Sequence, residues 1–195
     1  MKKILFTGFD PFGKDTTNPS WDAVALLPDE TEGAVIVKRH LPVEYDKVAE
    51  LLRQAIEEEK PDAVISVGQA GGRKAVTPEV IGINLREAGI PDNAGNQPVN
   101  TPVVPGGPDA YFSTLPVREM VQSIRTAELP AALSYSAGAF VCNDVLYTLL
   151  HHFAGTGTRV GFIHVPFLPQ QATNGQPSLP LDQITQALTL AISAL

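Results

Sequence analysis

Cys142 is the single cysteine of a 195-residue chain, and its setting in the sequence suits a nucleophile. It follows Ser134-Tyr135-Ser136-Ala137-Gly138-Ala139-Phe140, a strand-like segment with a small-residue turn, and opens an apolar run of Val145, Leu146, Leu149 and Leu150 at helical spacing. A thiol in the first turn of a helix faces unpaired backbone N–H groups and the positive end of the helix dipole. Both favour thiolate, so the expected pKa of Cys142 is lowered into the range of about 3.5–7.5. The same N–H groups would hold the oxyanion of a tetrahedral intermediate. The competing reading is a small buried hydrophobe, the commoner state of an isolated cysteine.

A thiol nucleophile is usually activated by histidine. His164 ends the run Val160-Gly161-Phe162-Ile163 and precedes Val165-Pro166-Phe167, so it projects from the carboxyl end of a strand, the edge that Cys142 also reaches. A satisfied strand-end histidine is the alternative. His40 lies inside a strand beside Arg39, and His151 and His152 sit near the far end of the Cys142 helix, where a protonated ring merely complements the helix C-terminus. The imidazole tautomer is usually fixed by a third group. Glu79, between a glycine loop and the next strand, is the leading candidate. Asp144 is two residues along from Cys142 and points to another helix face, while Asp10 and Asp92 neighbour prolines in turn-like sequence, where a carboxylate caps backbone N–H groups. One cysteine and four histidines with no close-spaced pair except His151-His152 supply no zinc ligand set, so neither metal nor cofactor is expected.

Gly68-Gln69-Ala70-Gly71-Gly72-Arg73-Lys74 has the look of a phosphate cradle but matches neither the P-loop spacing nor G-x-G-x-x-G. Such a loop can equally let the backbone approach a ligand closely. Phe9 and Phe12 stand in a loop, where aromatic rings gain little unless they cover something. They could wall a small flat ligand.

The elements that position these residues read as alternating strands and helices. Lys3 to Phe6, Val35 to Leu41, Ala63 to Val67, Val80 to Leu85, Ala132 to Tyr135 and Arg159 to Val165 are apolar runs of strand length. Helices are expected from Ser20, as cap, to Leu27, and over 44–59, 116–129, 140–153 and 181–195. Strand-helix-strand order implies a parallel sheet covered on both faces, in which ligands bind beyond the carboxyl ends of the strands. The stretch Glu87 to Gly107 is rich in Pro, Gly and Asn without periodicity, and it is expected to be a functional, mobile loop.

Composition narrows the function. The balance of 14 Lys+Arg against 21 Asp+Glu gives a net charge of −7, which argues against nucleic-acid or anionic-membrane binding. No window reaches the roughly 18 apolar residues of a membrane span. Behind Met1-Lys2-Lys3 only Ile4-Leu5-Phe6 is apolar, too short for a signal-peptide core, so a cytoplasmic location is expected, in keeping with the lone cysteine. No repeat or linker divides the chain, and a single domain over residues 1–195 is expected.

Four stretches, in this order, resemble the pyroglutamyl peptidase I family, the cysteine peptidases that remove N-terminal pyroglutamate from peptides. They are Phe6-Thr7-Gly8-Phe9-Asp10-Pro11-Phe12-Gly13 with Asn18-Pro19; Gly68 to Arg73 through Thr77-Pro78-Glu79 to Ile90-Pro91-Asp92-Asn93; Ser136 to Asn143; and Gly161-Phe162-Ile163-His164-Val165-Pro166. The resemblance implies a single-domain three-layer α/β/α sandwich with a mostly parallel, mixed sheet, assembled as a homodimer or homotetramer. It implies Cys142 as nucleophile, His164 as base and then acid, Glu79 as the group orienting His164, and a pyroglutamate pocket of Phe9, Phe12, Asn18, Gln69, Phe140 and Val141. The implied partners are small peptides bearing N-terminal pyroglutamate. A pocket built to hydrogen-bond the lactam would reject proline, which lacks the ring carbonyl, by up to roughly 10⁴–10⁵.

Two positions depart from the family pattern. Gly89 stands where many members have arginine, with Arg86 the nearest upstream substitute, and Gln170 stands where glutamate is frequent. Two rival functions follow: a lactam-binding protein without turnover, motivated by Gly89, and a phosphorylase-like or nucleotide-binding enzyme, motivated by Arg73 and Lys74.

Overall fold

The structure is a computed structural model that describes residues 1–31, 33–173 and 175–195. In chain order it contains β1 (Lys2–Phe9), α1 (Pro19–Ala25), β2 (Glu30–Thr31), β3 (Ala34–Leu41), α2 (Tyr45–Glu59), β4 (Ala63–Gln69), β5 (Thr77–Pro78), β6 (Ile81–Ile83), β7 (Ala110–Phe112), α3 (Val117–Thr126), α4 (Val141–His152), β8 (Arg159–Val165) and α5 (Leu181–Ile192). Six strands form one sheet in the order β2-β3-β1-β4-β8-β5, and β6 and β7 form a separate ribbon. The four central strands run parallel, whereas the short edge strands β2 and β5 run antiparallel to their neighbours. The sheet is therefore mixed and mostly parallel.

Strand alternation divides the core into two layers. Ile4, Phe6, Ile36, Ile65, Val67, Ile163 and Val165 pack on one face against Met120 and Ile124 of α3 and Ile184 and Leu188 of α5, with α1 alongside. Leu5, Val64, Val160 and Phe162 pack on the other against Val48 and Leu52 of α2 and Val145, Leu146 and Leu149 of α4. Burial of each such side chain contributes about 1.5–3 kcal/mol relative to exposure, so α4, which carries Cys142, is held firmly on β8, which carries His164. Among the described residues, no helix is long and apolar enough to cross a membrane.

Local chemistry moved several boundaries. Asn18, not Ser20, caps α1: its Oδ1 accepts from Ser20 N at 3.1 Å, and Pro19 follows at the first helical position. Ser20 instead accepts the Phe9 N–H on its hydroxyl at 3.0 Å, tying the helix to the end of β1. Ala132 to Tyr135 is not a strand and makes only an isolated bridge at Ser134. The neighbouring segment contains Pro78, which has no N–H to extend a ladder. The run from Val80 to Leu85 contributes only β6, which turns out of the main sheet to pair with β7. That ribbon is fixed to α4 by Asn143, whose amide accepts from Ile83 N and donates to the carbonyls of Ile83 and Leu85 at 2.9–3.0 Å.

Hydrogen bonds rather than periodicity hold the stretch from Glu87 to Gly107. Asp92 accepts from the N–H groups of Tyr45, Ala94 and Asn96 at 2.8–3.0 Å, the capping role expected of it. Burial raises its carboxyl, but these donors outweigh burial and the net shift is downward. Asn93 Nδ2 donates to Pro11 O at 2.9 Å, which lays this stretch across the first loop.

Candidate active site

Three strand ends deliver the candidate triad. In the β4–β8 register Gly68 lies beside His164, and in the β5–β8 register Thr77 lies opposite it. Two residues on, Glu79 donates its N–H to Phe162 O at 2.9 Å. Glu79 and His164 are thus diagonal neighbours on one face of an antiparallel pair, within reach of long side chains. That face is also the one bearing Val160 and Phe162, against which α4 packs.

The contact that results is short and dry. His164 Nδ1 lies 2.7 Å from Glu79 Oε1, with the side chains 4% and 0% exposed. An ionised carboxylate only accepts, so Nδ1 carries the proton and Nε2 presents its lone pair. Burial raises the Glu79 carboxyl, but the hydrogen bond and charge of His164, with the Arg73 guanidinium, bring it below its ordinary value. Ser134 Oγ donates to Ser136 O, and among the described residues Glu79 Oε2 is buried without a hydrogen-bond partner.

Cys142 occupies the first turn of α4, behind the extended cap residue Phe140. Its sulfur sits over the β4–β8 pair because Gly68 leaves room. A Cβ at Gly68 would lie 2.7 Å from Phe162 Cζ and 2.9 Å from Cys142 Sγ, and one at Gly71 would lie 2.2 Å from Phe167 Cζ. At Gly68 and Gly71 the glycine loop therefore makes close approaches to protein side chains.

The expected lowering of the Cys142 pKa is overturned. Burial, followed by the Glu79 charge, pushes the thiol up to about 12, and Arg73 and the residue's own N–H only partly oppose this. Burial, joined by the Arg73 charge, lowers His164 against the opposing hydrogen bond and charge of Glu79. Both shifts favour the neutral thiol and the neutral imidazole at rest.

The six residues expected to form the pocket come together beside this couple. Phe9, Phe12, Asn18, Gln69, Phe140 and Val141 line one recess with Cys142, joined by Gly68 and by Val43. The Phe12 and Phe140 rings lie 6.0 Å apart at 41°, and Phe9 stacks on Phe162 at 6.1 Å. Asn18 Nδ2 donates to Asp10 O at 2.8 Å. Gln69 Nε2 donates to Asp15 Oδ2 at 2.6 Å, and its Oε1 accepts from Gln171 Nε2 at 2.9 Å. A primary amide has two N–H donors and two lone pairs, so each of these side chains keeps an N–H for a ligand, and Gln69 also keeps a lone pair.

Sequence reading missed Val43, Asp15, Gln171 and Arg73 as members of this network. Only Val43 had a signal, its place between the end of a strand and the next helix. Arg73 was read with Lys74 as a phosphate group, yet its Nη1 lies 2.7 Å from Glu79 Oε1. The rejected carboxylate Asp144 is buried against Arg86 Nε at 2.5 Å, away from the imidazole, and burial raises it to about 6 against the pull of Arg86. Arg86 is thereby committed to Asp144 and to the face of Tyr45, 5.3 Å away, and does not reach the triad. His40 pairs with Asp10 at 2.9 Å and stacks on Trp21, and His151 meets Tyr111 OH at 3.0 Å. A Cβ at Gly89 would meet nothing within 4 Å, and Gln170 is exposed in the turn after β8.

Comparison with known proteins gives one consistent answer. The family model described as pyroglutamyl peptidase matches residues 2–195. The chain is 49% identical over 193 residues to the pyrrolidone-carboxylate peptidase of Thermococcus onnurineus, covering 97% of this chain and 96% of that protein. It is 51% identical over 197 residues to that of Levilactobacillus brevis, covering 99% and 97%. The crystal structure of pyroglutamyl peptidase I from Bacillus amyloliquefaciens superposes with a TM-score of 0.96 at 48% identity, over 99% of this chain and 94% of that one.

Proposed function

The chain belongs to the pyroglutamyl peptidase family, and from that membership and the geometry of the recess we propose that it hydrolytically removes N-terminal L-pyroglutamate from peptides. The observation that carries the proposal is a half-buried cysteine at a helix N-terminus over Gly68, the register neighbour of a carboxylate-bound His164, lining a recess walled by aromatic rings.

The lactam is flat and neutral, with one N–H and one carbonyl. Phe12 and Phe140 flank its ring, and the spare amide groups of Asn18 and Gln69 meet its polar atoms. With the ring seated, the carbonyl after pyroglutamate faces Cys142. His164 Nε2 takes the thiol proton as Sγ attacks that carbonyl, forming the C–S bond. Proton transfer coupled to attack is what the raised thiol and the neutral imidazole require. The first N–H groups of α4, unpaired at any helix start, receive the oxyanion. The imidazolium, steadied by Glu79, then protonates the leaving amine as the C–N bond breaks, leaving a thioester. Water, deprotonated by His164, hydrolyses the thioester, releases pyroglutamate and regenerates the thiol.

In this reading residues 1–195 act as one peptidase domain, need no metal or cofactor, work in the cytoplasm and assemble as a homodimer or homotetramer on small peptides. The test is amine release from an L-pyroglutamyl amide beside the L-prolyl amide. The expected discrimination in kcat/KM is about 10⁴–10⁵, because the prolyl ring lacks the carbonyl that the spare N–H groups of Asn18 and Gln69 would meet. Comparable turnover of both would overturn the pocket assignment. Pyroglutamate-induced stabilisation without turnover of either would favour the binding-protein alternative.

A further inference from the structure

We propose, on the basis of the peptidase reading above, that Arg73 is a positioning residue for the reaction: a guanidinium clamp that holds the Glu79 carboxylate where His164 needs it and ties it to the turn that delivers Cys142.

Arg73 touches two of the segments that build the site, the one from Thr77 to Glu79 and the turn at Ser136. Its Nη1 donates to Glu79 Oε1 at 2.7 Å and to Thr77 Oγ1 at 2.5 Å, and its Nη2 donates to Ser136 O at 3.0 Å. Glu79 Oε1 is the same oxygen that meets His164 Nδ1. Thr77 is the register partner of His164 and returns its own hydroxyl proton to His164 O at 3.3 Å. Ser136 begins the turn that ends at Phe140, the cap of the Cys142 helix.

Two features make this clamp more than a tether for the glycine loop. Among the described residues Glu79 Oε2 is buried without a partner, and the hydrogen bonds from His164 and Arg73 that fix the carboxylate both run through Oε1. Without Arg73 the imidazole alone would define its rotamer. The second feature is charge. A fully buried carboxylate needs a compensating cation, and His164 is neutral at rest. The Arg73 guanidinium, 2.7 Å from Glu79 Oε1, is that cation. The titratable groups sharing this environment are Glu79 itself, His164 from β8 and Cys142 from α4. The Arg73 charge opposes an imidazolium on His164 and favours both the Glu79 carboxylate and a Cys142 thiolate. Its removal therefore moves protonation of His164 and loss of the Cys142 proton to higher pH.

The experiment measures kcat and KM of the full-length protein for a pyroglutamyl amide across pH, for wild type, Arg73→Met and Arg73→Lys. The rate of Cys142 alkylation by iodoacetamide is followed in parallel. For Arg73→Met the expected result is a kcat lower by at least about tenfold with KM little changed, an acid limb moved up by about one pH unit, and Cys142 alkylation at a fixed neutral pH slowed by about tenfold. Arg73→Lys keeps the charge and loses the fork, so its limb stays at the wild-type position while kcat remains below wild type. An Arg73→Met acid limb at its wild-type position with alkylation at the wild-type rate would overturn the proposal, as would a wild-type kcat in Arg73→Lys. The alkylation profile reads the same couple without turnover, so an inactive wild type would sink the peptidase reading and still leave Arg73 decided.

Discussion

Cys142→Ala is expected to abolish pyroglutamyl-amide hydrolysis, with kcat reduced by about 10⁵–10⁶-fold and the fold retained. The magnitude is that of losing the nucleophile from a hydrolase that acts through a covalent intermediate. No second group can take over, since Cys142 is the single cysteine and the Asp144 carboxylate two residues along is committed to Arg86. The fold survives because the change removes one atom from a half-buried side chain and leaves Phe162 and the apolar face of α4 in place. Progress curves for both proteins, with thermal unfolding as the control for structure, make the comparison. A folded Cys142→Ala protein within tenfold of the wild-type kcat would show that another group performs the attack.

Glu79→Gln carries the next largest effect, a fall in kcat of about 10³–10⁴-fold, the scale seen when the group orienting a catalytic histidine loses its charge. The amide that replaces the carboxylate can donate as well as accept, so it no longer forces the proton onto His164 Nδ1. It also leaves Arg73 with no carboxylate beside it. The pH dependence has a definite sign. Burial lowers the imidazole, and the Glu79 hydrogen bond and charge partly restore it. Without that charge the ring protonates at lower pH, and the acid limb of kcat/KM moves down. Arg73→Met moves the same limb up. Opposite displacements from the two ends of one ion pair are a signature that loosened packing does not produce. An acid limb that rises in Glu79→Gln, or a kcat within tenfold of wild type, would contradict the role assigned to Glu79.

Much of this arrangement is legible in the chain because it is written in short-range patterns. The apolar run ending at His164 defines β8 at the bounds expected, Arg159–Val165, and period-two alternation puts His164 on the face of Phe162. The cysteine helix begins within a residue of its expected start because the small-residue turn and the apolar spacing agree. The gathering of Phe9, Phe12, Asn18, Gln69, Phe140 and Val141 was accessible only through family resemblance, since the six come from three separate segments and no periodicity links them. What escaped depends on tertiary contact. A helix N-terminus predicts a lowered thiol, yet Cys142 lies close over Gly68, and burial together with the Glu79 charge pushes the thiol up. Arg73 reads as an anion-binding group next to glycines. Its partner Glu79 is six residues away across a two-residue strand that no propensity marks. Asn18 and Ser20 are both good caps, and the choice between them was made by Pro19 and by the Phe9 N–H that engages the serine.

The most direct test of the central claim is an acid quench of wild type during turnover of a pyroglutamyl ester or amide, followed by mass analysis of the cysteine-containing peptide. The account predicts one pyroglutamyl group as a thioester on Cys142, absent from Cys142→Ala and discharged by hydroxylamine. Steady turnover with Cys142 unmodified at every quench time, or with the acyl group on another residue, would contradict it.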